Sequence, residues 1–453
     1  MSIGKNGILI CAILAAIILG TLGIRWVYDQ TGHAAQVAAA KIPQNISTDA
    51  IIGYLQDYLK THPDDYVAYG NLGGAYLQKV RENGDATLYT KAEGVLNKAL
   101  ALHPNDFRAL SNLGALALAR HQFRDALTRG EQARAVNPDN ASIYGVIGDA
   151  QIELGLYDDA FATFQQMVDI RPDLTSYARV SYARELQGDR AGAIENMQRA
   201  VNAGALNTEA RSWALTQLGT LYFDQNEYDK AAQAYQAALD GWHNYPYARA
   251  GLANVRAAQG DYEAAIEIYT SVVNTIPLPQ FVIALGDLYH AAGQDAQAEK
   301  TYALVGVEEQ LLAANGVDID AETALFDADH GRDLPNALAR ARAAYARRSS
   351  VTVADILAWT LYQSGDYSAA DEIMHKALRL GTRSALMFYH AAVIAHALGH
   401  DDAAENYLQQ ALTLNPHFSF LYADRAQKLW TELSQRHSSG ENFQTRMDNL
   451  QKQ

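Results

Sequence analysis

The chain has 453 residues, 49% of them apolar, and carries 36 Lys+Arg against 51 Asp+Glu for a net charge of −15 at pH 7. Phosphate binding needs a basic surface, so this acidic balance argues against a nucleic-acid-binding protein. The single cysteine, Cys11, has no partner for an intramolecular disulfide and says nothing of redox compartment.

Gly7 to Ile24 is a run of 18 residues without a charge, extended by Trp26-Val27. At about 1.5 Å rise per residue such a helix comes close to spanning a hydrocarbon core of ~30 Å. Trp26 and Tyr28 fall where aromatic rings favour the membrane interface. Residues 1–28 are therefore expected to be an amino-terminal anchor. The alternative is a signal peptide cut near Ala38-Ala39-Ala40, but that site lies far beyond the apolar run, and Arg25 follows the run directly. Ile10 before Cys11 does not suit a lipoprotein signal. Positive charges are nearly balanced on the two sides; a very short amino-terminal tail usually stays inside. The rest of the chain is thus expected outside the cytoplasm, in the periplasm or at the cell surface.

Residues 29–46 form an alanine-rich linker. Ser47 or Thr48 then caps a helix with Ile51, Ile52, Leu55, Tyr58 and Leu59 on its apolar face. From there one frame recurs: a small residue, then an alanine twelve positions later. The alanine falls at Ala92, Ala126, Ala160, Ala193, Ala231, Ala265, Ala298, Ala337, Ala370 and Ala404, with intervals of 33 or 34 residues except two of 38 and 39. Periods of this size mean stacked helical hairpins rather than one globular core. Gly73, Gly114, Gly148, Gly219 and Gly286 supply the small position on the first helix, where two helices must approach closely. Larger residues such as Leu96, Phe164, Tyr235 and Tyr269 fill the seams. Pro63, Pro104, Pro138, Pro172, Pro277 and Pro416 end the second helix, because proline lacks the amide donor that would continue it.

This pattern, from about Ile51 to Phe418, resembles the tetratricopeptide repeat family. The resemblance implies an all-α, right-handed solenoid of about ten helix-turn-helix repeats, here preceded by one transmembrane helix. An opening half-repeat and repeats 1–4 occupy 47–202, and repeats 5–7 with an extra helical segment occupy 203–319. Repeats 8–10 span 320–416, a capping helix 417–436, and a polar, mobile tail 437–453.

In this family the first helices line a concave groove. Carried onto this sequence, the groove positions include Asp149, Tyr182, Trp213, Asn254, Asp287, His290, Phe326, Asp355, Trp359, Tyr362, Tyr389 and His396. Phe326, Trp359, Tyr362 and Tyr389 fall on neighbouring first helices, and large rigid aromatics are frequent binding anchors; packing between helices explains the same residues equally simply. Chaperone-binding members clamp a terminal carboxylate with lysines and asparagine; Asn254 is present without the lysines, so that ligand is not expected.

Catalytic constellations are missing: there is no phosphate loop, no paired CxxC and no HExxH. Asp327, Asp329, His330 and Asp333 form the densest polar cluster, which reads as an ordinary helix end rather than a metal site. Arg340, Arg342, Arg347 and Arg348 read as a solvated helix face. The expectation is a non-enzymatic scaffold without cofactor or metal, anchored to a membrane and binding protein or peptide segments in its groove. Envelope assembly, secretion and cytochrome maturation are processes that would use it. A ligand- or metal-binding accessory protein and a self-associating structural protein are the alternatives.

Overall fold

The computed structural model describes the backbone of residues 47–450 and side chains up to residue 436. The expected anchor and linker lie outside the described residues. Among those residues every regular element is a helix, and none is long and apolar enough to cross a membrane.

A lone helix, α1 (Thr48–Thr61), precedes ten antiparallel pairs. These are α2 (Tyr66–Asn83) with α3 (Thr87–Leu102), α4 (Phe107–Ala119) with α5 (Phe123–Val136), and α6 (Ala141–Glu153) with α7 (Tyr157–Ile170). Next come α8 (Leu174–Leu186) with α9 (Arg190–Ala203), α10 (Glu209–Phe223) with α11 (Tyr228–Gly241), and α12 (Pro246–Ala258) with α13 (Tyr262–Thr275). The seventh pair, α14 (Pro279–Ala291) and the short α15 (Asp295–Tyr302), is followed by an extra helix, α16 (Val305–Ala314). Then α17 (Asp320–Asp329) pairs with α18 (Leu334–Arg347), α19 (Val351–Gln363) with α20 (Tyr367–Ala377), and α21 (Ala385–Ala397) with α22 (Asp401–Leu414). The last helix, α23 (Ala423–Leu450), runs on past residue 436, where the sequence suggested that the capping helix stops.

Local chemistry sets these boundaries. Second helices end two residues before Pro63, Pro104, Pro138, Pro172, Pro277 and Pro416. Just beyond the first four prolines, Asp65, Asp106, Asn140 and Asp173 accept a hydrogen bond from an amide of the next first helix and so cap it.

The frame alanines are all at most 2% exposed, but their small partners on the first helix do not simply face them. A methyl on Gly148 would lie 2.3 Å from the Phe164 ring, one on Gly219 2.6 Å from the Tyr235 ring, and one on Gly286 2.3 Å from the Tyr302 ring. The small position thus makes room for the large residue one helical turn after the alanine. Burying a side chain of that size contributes about 1.5–3 kcal/mol per repeat.

The solenoid coils back onto itself. Gly84, after α2, abuts Ile276 and Leu278. Arg120 accepts from the Asp318 amide at 3.0 Å and donates through Nε to Asn315 O at 2.8 Å. Ser349 donates to Leu154 O at 3.0 Å, and the Val351 amide donates to Tyr157 Oη at 2.6 Å. Thr382 donates to Leu186 O at 2.6 Å, and Asn415 Nδ2 donates to Phe223 O at 3.1 Å. In each case the turn inside one repeat meets the connection that closes the repeat five places further on. First helices caught between the two turns, such as α6, α19 and α21, have nearly every residue buried, as expected of helices that are apolar on all sides.

Gly188 and Gly260 separate the effect of this coiling from ordinary turn geometry. Both have positive φ (+76° and +89°), but a methyl on Gly188 would lie 2.4 Å from Gly381 O in the next turn, whereas one on Gly260 meets nothing within 4 Å. Alanine costs about 1 kcal/mol at either site from the left-handed backbone alone. Gly188→Ala is expected to lose more stability and to raise the radius of gyration in X-ray scattering; Gly260→Ala leaves the radius unchanged. Identical behaviour of the two variants would show that the turns are not in contact.

Candidate functional site

Most of the residues expected to line a groove lie inside the packed coil. Asn254 and Asp287 are buried and accept from Tyr269 Oη (2.7 Å) and Tyr302 Oη (2.8 Å); Thr220 and Tyr235 make the same pairing at 3.2 Å. A polar residue followed fifteen positions later by tyrosine is therefore a seam device, and that spacing is visible in the sequence. Asp149 forms a buried bidentate pair with Arg179, at 2.9 and 2.8 Å. Trp213 is buried in the central apolar cluster, and Phe326 packs on Tyr302 and His330.

Trp359, 2% exposed, is the centre of an aromatic cluster: it stacks on His390 (4.1 Å) and the half-buried Tyr362 (5.2 Å) and lies against Tyr389 and Tyr422. Its indole N–H donates to Asp329 at 2.7 Å, and Asp355 bonds His390 at 2.9 Å. His290 and His396 each hold the aspartate five residues on, Asp295 and Asp401. The polar cluster at 327–333 disperses: Asp329 faces Trp359 and Tyr422, His330 bonds Asp287 at 2.9 Å, and Asp333 precedes α18. Among the described residues no group of three or more His, Cys, Asp or Glu could hold a metal ion.

Arg348 corrects the reading of the basic cluster as a solvated face. It is buried, and its guanidinium reaches Glu322 at 2.8 Å and Glu153 at 3.6 Å. These three residues line a cleft between the two turns, with a cavity volume of about 100 Å³ that opens partly to solvent. On one side it meets the carboxyl-terminal ends of α6, α8 and α10, through Glu153, Tyr182, Glu185 and Asp224. On the other it meets the first turns of α17, α19 and α21, with an apolar wall of Leu325, Val353, Ile356, Leu386 and Met387. Of the twelve groove positions read from the sequence, Tyr182 and Asp355 line this cleft and the other ten do not.

The carboxylates of the cleft sit in an environment that disfavours charge. Burial pushes Glu153, Glu185 and Asp224 each up to about 7, against the partial relief given by Arg348 for the first and Arg190 for the other two. Burial acts most strongly on Glu322 too, raising it, but Arg348 at 2.8 Å and His121 together outweigh it and the net shift is downward. Asp224 is half-buried as a residue, yet its Oδ1 is shut off from solvent and accepts no hydrogen bond. Sequence reasoning missed these acids. One signal existed: Glu153, Glu185 and Asp224 all fall at the carboxyl-terminal ends of first helices, where the helix dipole disfavours negative charge.

Family models for the tetratricopeptide repeat match residues 112–174, 216–280 and 385–418. The chain contains tetratricopeptide repeats. No curated protein matches it. Among solved structures it is similar to PilF of Pseudomonas aeruginosa, at 18% identity over 47% of this chain and 92% of that one, with a TM-score of 0.35. Human IFIT1 aligns over 89% of this chain and 94% of its own at 15% identity and a TM-score of 0.44. YrrB, a TPR protein with an unusual peptide-binding site, aligns over 44% and 97% at 17% identity and a TM-score of 0.29.

Two outcomes follow from how these tetratricopeptide repeats pack. Trp359→Ala removes the centre of a buried cluster, so it is expected to cost about 3–5 kcal/mol in urea unfolding; an unchanged midpoint would place Trp359 on an open surface instead. The pH dependence has a definite sign. Glu185 and Asp224 titrate near 7 when folded but from 4.5 and 3.8 as free groups, so the folded chain holds protons that the unfolded chain has released. Stability should therefore fall as pH rises from about 4 through 7, by on the order of 1 kcal/mol per group after allowance for solvent screening. Glu185→Gln should flatten that slope in urea midpoints taken from pH 5 to 8.

Proposed function

We propose that the protein is a non-enzymatic scaffold that seats a segment of a partner protein in the cleft between its two superhelical turns. The supporting observation is the cleft itself: space between the turns, an apolar wall, and on each side a carboxylate oxygen shut off from solvent without a hydrogen bond, Asp224 Oδ1 and Glu322 Oε2. Concave, largely apolar sites with a few convergent polar groups are the usual form of binding pockets. The concave face that repeats of this kind offer is here largely packed, which moves the available surface to the gap between turns. In this reading the apolar run from Gly7 to Ile24 is an uncleaved anchor, with the solenoid outside the cytoplasm. Tethering raises the local concentration of the scaffold beside membrane-bound partners.

The test is site-specific photocrosslinking in the native host, with the photoreactive residue at Met387 in the cleft or at Val136 on the outer surface. The reading predicts a discrete adduct from Met387 and none from Val136. Equal products from the two positions, or none from either, would contradict it.

Self-association has a separate observation in its favour. Leu304, Val307 and Leu311 are exposed at helical spacing on and beside α16, with Val307 61% exposed, and unpartnered apolar faces favour association. If they form an interface, Val307→Glu should lower the molar mass of the full chain in light scattering; an unchanged mass removes this second reading.

A further inference from the structure

We propose that the cleft recognises a cationic group on an apolar stem, an alkylammonium or guanidinium seated beside Glu185 and Asp224. The inference rests on the reading of the cleft as a binding site and adds the chemistry of what it takes.

A charge inventory of the cleft supports it. Its acids are Glu153, Glu185, Asp224, Glu322 and Asp355; its bases are Arg190, Arg348 and Arg383. Asp355 is engaged by His390 at 2.9 Å. Glu153 and Glu322 share Arg348, with His121 a further 3.9 Å from Glu322. Glu185 and Asp224 remain, and the charges acting on them are Arg190 and, for Asp224, Glu185 itself. Arg190 also donates through Nη1 to Arg383 O at 2.9 Å, which draws part of its guanidinium toward the upper turn. Arg383, the third base, is exposed to solvent. The first turn of α21 adds only the fractional positive charge of a helix start. Among the described residues, two carboxylates thus share one full positive charge.

A second observation is independent of that count. Asp224 Oδ1 is buried and accepts no hydrogen bond, and Glu322 Oε2, on the opposite side of the same cleft, is in the same condition. Leaving such an acceptor unmet costs about 1–3 kcal/mol, a cost that a ligand N–H entering the cleft would remove after a small rotation of the carboxyl group. The apolar wall of Leu325, Val353, Ile356 and Met387 lies across from these acids and suits methylene groups. Lysine and arginine side chains combine such a stem with a charged head, and so does a free polyamine.

Calorimetric titration of the full chain in neutral detergent distinguishes these sources. The probes are spermidine, an acetylated Leu-Lys-Leu-Lys peptide and its Leu-Glu-Leu-Glu counterpart, at pH 6 and pH 8. The lysine peptide, spermidine or both should bind about tenfold more tightly at pH 8 than at pH 6, because the acids must be ionised to hold a cation. Glu185→Gln and Asp224→Asn should each weaken binding at least tenfold, whereas the exposed-site control Asp158→Asn should not. Binding of spermidine points to a small amine, and binding of the lysine peptide alone points to a basic segment of a partner. Cation binding that survives both cleft substitutions, or no cation binding while the variants remain folded, overturns the inference. If the glutamate peptide binds instead and competes with the Met387 crosslink, the cleft is still the binding site and only the assigned charge is wrong.

Discussion

The last carbonyl groups of a helix have no partner within it and must find one elsewhere. In this solenoid the first helices of consecutive repeats end beneath the next superhelical turn, and that turn supplies the donors. Arg120 O, Leu154 O, Leu186 O and Phe223 O receive them from the Asp318 amide, Ser349, Thr382 and Asn415. Each bond contributes on the order of 1 kcal/mol, so the seam as a whole is worth a few. That is enough to hold the coil closed, and small enough that a side chain pressed into one contact could open it locally. The extra helix α16 delivers Asn315 and Asp318 to Arg120, so the irregular stretch after the seventh repeat serves this seam.

Closure decides where chemistry is available. An open superhelix of the same repeats would leave Trp359, Tyr389 and Phe326 facing a groove. Here Trp359 and Tyr389 are buried against each other and beside α23, and Phe326 is buried against Tyr302 of the preceding repeat. The closed coil leaves open a cleft between turns, where the dipoles of three helix starts meet the acids at three helix ends. Repeats that would otherwise present one long concave face present instead a short site with strongly mixed polarity.

The local half of this architecture was legible in the sequence. Ten alanines in register gave ten helix pairs, and six prolines gave the ends of second helices to within two residues. The tyrosine seam was half legible. Asn254 and Asp287 were visible as polar residues on first helices, but they were assigned to a groove because the tyrosine fifteen residues later was not recognised as their partner. The coil closure could not be read. Its contacts join residues about 190 apart, such as Gly188 and Gly381, and no local periodicity links positions that distant. Arg348 was misplaced for the same reason: its partner Glu153 belongs to a repeat five places earlier.

Amide hydrogen exchange at Asp318 and Val351 tests the closed coil most directly. Val351 opens α19, where the first amides have no partner in their own helix, and Asp318 lies in a loop. Among the described residues their acceptors are Tyr157 Oη and Arg120 O in the turn below. The account predicts that both exchange far more slowly than unprotected amides, and that Tyr157→Phe releases Val351 selectively. Exchange of both amides at the unprotected rate in the intact chain would contradict it.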